Sequence, residues 1–272
     1  MAQRRRSRGR PDQRRTLVRD LALGAGGLIL VILVWQLATS LHWVSPRSMP
    51  QPLDVATALV RLLGDGAFWA ACGSTIFSSL VGIGICIVIA VPLSMAIHAN
   101  EFVRESTWFV IEFLKPVPGV AIIPLALLLW GPTETVKLFL IVFGALWPLL
   151  TQFNYGLREV PGTAIEMSRV YRFTGAQRSG RIVIPSLMPF AFTGLRITTT
   201  LALIIAIVAE YIIGVPGIGA LLALAQTNGV LDRMYAVMVV AGLLGLLFAW
   251  GVSALSRPLL FWHASERERV GR

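Results

Sequence analysis

The twenty residues EMSRVYRFTGAQRSGRIVIP, 166–185, hold four arginines and a glutamate in a chain that is otherwise largely a series of apolar runs. What flanks them decides the fold. Of 272 residues, 56% are hydrophobic and 14% charged, and the mean hydropathy is +0.73. Soluble domains carry about 25% charged residues, so this composition reads as an integral membrane protein. A hydrocarbon core about 30 Å thick is crossed by about 20 apolar residues at 1.5 Å each. Runs of that length fall at about 21–41, 70–97, 108–130, 135–153, 188–213 and 236–256. They predict an all-α membrane domain over 21–256 with six transmembrane helices, and the quoted stretch falls in the 154–187 connection.

Charge sets the orientation. The tail 1–20 holds eight arginines, and positive residues are retained on the cytoplasmic side. Six crossings then put the connections 98–107 and 154–187 and the tail 257–272 inside as well. Eighteen arginines lie inside on this count, against Arg47, Arg61 and Arg233 outside. Topology thus accounts for the net charge of +10 without nucleic acid, and anionic lipid is the expected contact. Both termini are expected in the cytoplasm of a bacterium, with the chain multi-pass in the inner membrane. The first apolar run is about 20 residues rather than 7–15, and no small-x-small site follows it before LHWVSPRSMP, so it is expected to remain as a span.

Chemistry of its own is not expected. Cys72 and Cys86 are 14 positions apart, about 21 Å along a helix, beyond disulfide reach. They read as lipid-facing or packing residues. His42, His98 and His263 stand at separate segment ends with no thiol or acid at ligand spacing, so no metal site is expected. There is no nucleophile with a base beside it and no cofactor motif.

Within the map, 52–64 places Leu53, Ala56, Leu59, Val60 and Leu63 on one helical face, as an interfacial amphipathic helix or an ordinary packed one. The third span is interrupted by KPVPG (115–119), with Pro116 and Pro118, and by Pro124, which predicts a kink or local unwinding. That break is either a gate or a tolerated kink. Glu112 with Lys115 and Glu134 with Lys137 are three apart and are expected to pair. Glu210 has no basic residue within a helical turn and is expected to reach headgroups or line a cavity. Thr198, Thr199 and Thr200 fit either a translocation passage or helix packing by small polar groups. The segment 214–229, GVPGIGALLALAQTNG, is too short to cross and reads as a partly buried outer loop with a short helix.

The 34-residue connection 154–187 is long enough to mark function. Pro161-Gly162-Thr163 is a helix start, after which Ile165, Ser168, Val170 and Tyr171 face one side and Glu166 and Arg169 another. Thr174 and Gln177 make a capping box that opens a second helix from about 175 to 184, ended by Pro185. Gly175 to Ile182 has the outline of a phosphate-binding loop, but Arg181 replaces the lysine, Ile182 offers no hydroxyl, and no strand precedes it.

The stretch 166–185 resembles the signature loop of permease subunits of ATP-binding cassette importers, E-A-A-x-x-x-G-x(9)-I-x-L-P. Glu166, Ile182 and Pro185 hold their places, Ile184 stands for Leu, Met167 and Ser168 replace the alanines, and Arg172 replaces the glycine. EFLKPVPGVAIIPLALLLWG (112–131), MPFAFTGLRI (188–197) and IVAEYIIGVPGIG (207–219) are similar to the nitrate/sulfonate/taurine branch.

The resemblance implies a type I importer permease fold with a cytoplasmic coupling-helix loop. It implies a non-catalytic subunit whose partners are two cytoplasmic ATPases, a second permease copy as a homodimer, and an extracytoplasmic binding protein. ATP and Mg would bind the ATPases and no cofactor this chain. Glu166, Met167, Ser168, Val170, Tyr171, Arg172, Phe173 and Gly175 would couple to the ATPase. Pro116, Pro118, Pro124, Thr198, Thr199 and Glu210 are the candidate gating and passage residues. At Arg172 the left-handed turn that glycine favours is expected to move, the first helix running on to about Phe173 and Gly175 taking the turn. The substrate is expected to be a small organic or inorganic anion. An ATP-independent secondary transporter or channel is the alternative, against which stands the absence of matching broken segments in the two halves.

Overall fold

In lipid every backbone N–H and C=O must find its partner within the chain, which leaves helix as the form for an apolar run of this kind. The computed structural model describes residues 13–45 and 48–259, and no strand occurs among them. The basic residues 1–12, Arg47 and residues 260–272, on which part of the charge argument rests, lie outside the described residues.

The helices follow in order: α1 (Gln13–Ser40), α2 (Pro52–Leu63), α3 (Gly66–Ala99), α4 (Glu101–Leu114), α5 (Ile123–Trp130), α6 (Glu134–Arg158), α7 (Gly162–Val170), α8 (Gly175–Arg178), α9 (Ile184–Ile213), α10 (Ile218–Thr227) and α11 (Leu231–Leu259). A 3₁₀ turn, Gly119–Ile122, leads into α5, and a π turn, Ser179–Val183, joins α8 to α9. Five helical runs are long and apolar enough to cross a membrane: Ala22–Ser40, α3, α6, the joined run Gly175–Ile213 and α11. The pair α4–α5 makes a sixth if counted as one span.

In that pair the expected kink or local unwinding at KPVPG takes the form of a full break between two helices. α4 stops at Leu114, Pro116 and Pro118 follow, and the chain resumes after a bend of 85°. Two prolines that offer no amide hydrogen and whose rings crowd the preceding turn account for the break. Pro124 is not part of it. It sits in the first turn of α5, where a missing N–H leaves nothing unpaired.

α6 is the centre of the packing, with α9 on one side and α3 on another. Lipid tails are as apolar as leucine, so helices in a membrane associate through close approach at small residues. The core follows that rule: Ala90, Ala145, Ala202, Ala206 and Ala209 are buried between Leu140, Ile141 and Leu149. A Cβ on Gly82 would stand 2.4 Å from Ile141 Cγ2, and one on Gly144 2.4 Å from Ile205 Cδ1. Cys72 and Cys86 are free and buried in this packing rather than facing lipid.

A second, outer cluster gathers α2, α3, α10 and α11 around Phe68, Ile218 and Val237. α2 joins it through Val55, Ala58 and Leu62, while Leu53, Val60 and Leu63 of the face picked out by sequence spacing stay exposed. The helix therefore uses two apolar faces, one against the protein and one turned outward.

Candidate functional site

Two places carry polar groups that the fold has built around: the 159–183 connection and a buried cluster at the opposite end of α6 and α9.

In the connection, α7 starts after Pro161, whose extended backbone breaks it from α6. It ends at Val170 with Tyr171 as C-cap, and Arg172 takes φ +52°. Phe173 N–H donates to Ser168 O (2.8 Å) and Arg172 N–H to Arg169 O (3.0 Å), the paired bonds of a Schellman turn. This overturns the expected extension to Phe173. The turn stays where the family pattern has glycine, because both bonds close only if residue 172 is left-handed, and Gly175 begins the next helix instead. An L-residue there carries about 1 kcal/mol of strain. Arg172→Gly is accordingly expected to raise stability by about 1 kcal/mol, read as the unfolding midpoint in detergent. A lower midpoint would mean that the Arg172 side chain makes a contact stronger than the strain.

The capping box forms as expected: Gln177 N–H donates to Thr174 Oγ1 (3.3 Å) and Thr174 N–H to Gln177 Oε1 (2.9 Å). The helix it opens does not end at Pro185. Ile184 N–H bonds back to Ser179 O across a five-residue turn, and Pro185 falls in the first turn of α9. The wider π turn makes room for the proline ring and leaves its missing N–H without consequence. The helix from Gly175 therefore runs on through α9.

The side chains of α7 divide cleanly. Met167, Val170 and Tyr171 are 63%, 80% and 72% exposed, and Glu166 and Arg169 are exposed beside them. Ser168, expected on the same docking face, turns inward. Its hydroxyl donates to Ile165 O (2.6 Å) and accepts from Arg178 Nε (3.0 Å), so it ties α7 to α8. Phe173 is half-buried, with the Arg181 guanidinium carbon 5.7 Å from its ring centroid, a second tie between the same segments. Nothing lies near the Cβ position of Gly175.

The buried cluster corrects the reading of Glu210. Its side chain is wholly buried and reaches neither headgroups nor a cavity. Glu210 Oε1 lies 3.4 Å from Lys137 Nζ, while Oε2 accepts from Thr75 Oγ1 (2.8 Å) and from Gly219 N–H (3.1 Å). Ile218 N–H donates to Thr75 Oγ1 (2.9 Å). The carboxylate thus meets the free N–H groups at the start of α10, where the helix dipole favours an anion. Lys137 also pairs with Glu134 (2.7 Å) and donates to Pro216 O (3.1 Å) and Ser74 Oγ (3.3 Å). Glycine is required over this carboxylate: a Cβ on Gly217 would stand 2.0 Å from Glu210 Cδ. Local spacing found the Glu134–Lys137 half of the cluster and also the Glu112–Lys115 pair (2.6 Å). It missed Lys137–Glu210, which joins α6 to α9 across 73 residues. The available signal was that an acid in an apolar run without a local base needs a distant one.

Thr198 and Thr199 are buried, and Thr198 Oγ1 donates to Ala145 O (3.2 Å), so Thr198 serves the α6–α9 contact. Thr200 is exposed.

Residues 82–259 match the family model described as a binding-protein-dependent transport system inner membrane component. The putative aliphatic sulfonates transport permease protein SsuC of Escherichia coli (strain K12) is 30% identical over 233 residues, 86% of this chain and 89% of that protein. The nitrate import permease protein NrtB of Synechocystis sp. (strain ATCC 27184 / PCC 6803 / Kazusa) is 27% identical over 82% of this chain and 83% of its own length. A chain of the methionine ABC transporter MetNI, solved in inward facing conformations, superposes with a TM-score of 0.59 at 18% identity, covering 70% of this chain and 96% of that one.

Proposed function

The chain belongs to the family of binding-protein-dependent transport system inner membrane components, and from that premise we propose how it links ATP hydrolysis to the passage of a small anion. It is the membrane-spanning permease subunit of an ABC importer with the type I fold. Hydrolysis belongs to a separate ATPase chain, and a substrate-binding protein delivers the solute.

The proposal concerns the rest. α7 lies on the cytoplasmic side, with both termini, and inserts its exposed apolar side chains into a groove on the ATPase, a helix-in-groove contact. Met167, Val170 and Tyr171 fill the groove and Glu166 makes a polar contact at its edge. Two ATPases hold ATP and Mg between them, and two copies of this chain form the passage. When ATP draws the ATPases together, α7 moves with them. The ties Ser168–Arg178 and Phe173–Arg181 pass that motion to the helix that continues as α9. Alternating access is then a coupling free energy between the ATP site and the solute site. The transported solute is a small anion of the sulfonate or nitrate kind, in line with what the names of SsuC and NrtB state for those proteins.

The observation that carries this reading is three large apolar side chains left uncovered on a short helix otherwise pinned to the body of the protein. Coexpression of the permease with its ATPase, comparing the native chain with Glu166→Arg plus Tyr171→Ala, tests it. ATPase copurification is expected to fall at least about tenfold, the loss of a central aromatic anchor together with a reversed charge. Copurification unchanged from the native chain, with the permease still eluting as a folded species, would rule out α7 as the docking helix.

A further inference from the structure

One cation deep in the membrane region is not used by anything above. Arg196 lies on α9, is exposed, and pairs with no acid among the described residues. Its depth follows from the packing of α9 on α6. Gly194 sits so near Gln152 that a Cβ would stand 2.9 Å from Gln152 Cβ, and Thr198 Oγ1 bonds Ala145 O. Arg196 is therefore level with residues 145–152 of α6, about 14 Å from the Arg158 end and about 22 Å from the Glu134 end at 1.5 Å per residue. Along α9 itself it lies eight residues, about 12 Å, inside the apolar run 188–213, where a charge is costly against lipid.

Two hydroxyls flank it on a strip of α9 that also carries the exposed Ile197 and Ile204. Thr193 and Thr200, at i−3 and i+4, are exposed, and their hydroxyls donate to Pro189 O (2.9 Å) and Arg196 O (3.1 Å). A charge with polar neighbours at this depth is costly against lipid and belongs on a surface that faces water or a bundle interior. In the single chain this face is uncovered, and a passage shared with a second copy would give the charge the water that lipid denies it.

We infer that the Thr193–Arg196–Thr200 face of α9 lines the water-filled solute passage and that Arg196 is its anion-attracting residue, selecting small singly charged oxyanions such as sulfonates or nitrate over cations. The inference rests on the permease reading and adds to it the wall of the passage and the sign of charge that it favours. Arg196 acts there as a fixed positive charge in a water-filled channel with low-dielectric walls, where a field of one sign raises the local concentration of the opposite ion.

The test uses the permease–ATPase complex with Thr193→Cys or Thr200→Cys, the parent protein setting the background because Cys72 and Cys86 are buried. Each cysteine is reacted with two water-soluble methanethiosulfonates of similar size, one carrying a sulfonate and one a trimethylammonium group. Both cysteines are expected to react, the anionic reagent faster. Adding Arg196→Gln is expected to lower the anionic-to-cationic rate ratio about tenfold, while Arg196→Lys keeps it. Failure of both cysteines to react would place the face in lipid and overturn the inference, as would a ratio unmoved by Arg196→Gln. The docking reading fails on copurification and this one on labelling, so the two are separable.

Discussion

Lys137→Met is expected to cost the folded protein about 3–5 kcal/mol, because it leaves the Glu210 carboxylate buried without its counter-charge. The reverse removal is milder. Glu210→Gln keeps an acceptor for Thr75 and Gly219, and Lys137 retains Glu134, so about 1–3 kcal/mol is expected. The double variant Lys137→Met/Glu210→Gln removes the unpaired charge and is expected to recover most of the first loss, so the two single losses are far from additive. Denaturant unfolding in detergent followed by tryptophan fluorescence reads all three. A Lys137→Met protein as stable as the native one, or a double variant no better than that single one, would mean that the pair holds nothing in place.

Gly219→Ala is the second large effect, about 3–5 kcal/mol from overpacking together with lost bonds to a charged group. The added methyl would stand 2.0 Å from Ile207 O and 2.7 Å from Tyr211 N, which belong to the backbone of α9 and cannot rotate aside. α10 must then lift, and with it go the N–H bonds from Ile218 to Thr75 and from Gly219 to Glu210. Gly242→Ala, where a Cβ meets nothing within 4 Å, is the matched control on α11 and is expected to leave the unfolding midpoint within the scatter of the native protein. Equal midpoints for the two variants would show that α10 tolerates displacement from α9.

Apolar run length was enough to read the helical character of this chain, and proline placement was enough to read a break near residue 116. These are signals that act within a few residues. The capping box at Thr174 is of the same kind, and it forms with both of its bonds. Two of the differences, at Ser168 and Glu210, have the opposite property, and two, at Pro185 and Arg172, turn on the form of a local turn. Ser168 was assigned by helical phase to the docking face, but its partner, Arg178, comes from the next helix. Pro185 has the sequence character of a stop, since proline ends ordinary α-helix, and a π turn just before it removes the reason. Glu210 lacked a local base, and its base was 73 positions away. At Arg172 the side-chain preference against left-handed backbone was set above the demand of the turn, yet two hydrogen bonds hold the turn in place. Local hydrogen bonding decided which elements form and how they end, and contact between elements decided where Ser168 and Glu210 point.

The unbroken helix Gly175–Ile213 has a consequence of scale. Its 39 residues reach about 58 Å. One end carries Arg178, to which α7 is tied, and the other carries Glu210, to which the outer loop is clamped. The helix therefore joins the two ends of the bundle as one rod, with α6 as its fulcrum. A tilt of about 5° about a fulcrum near the middle of a rod that long swings each end through about 2.5 Å in opposite directions. The travel of each end is thus set by how much of the helix lies on either side of α6.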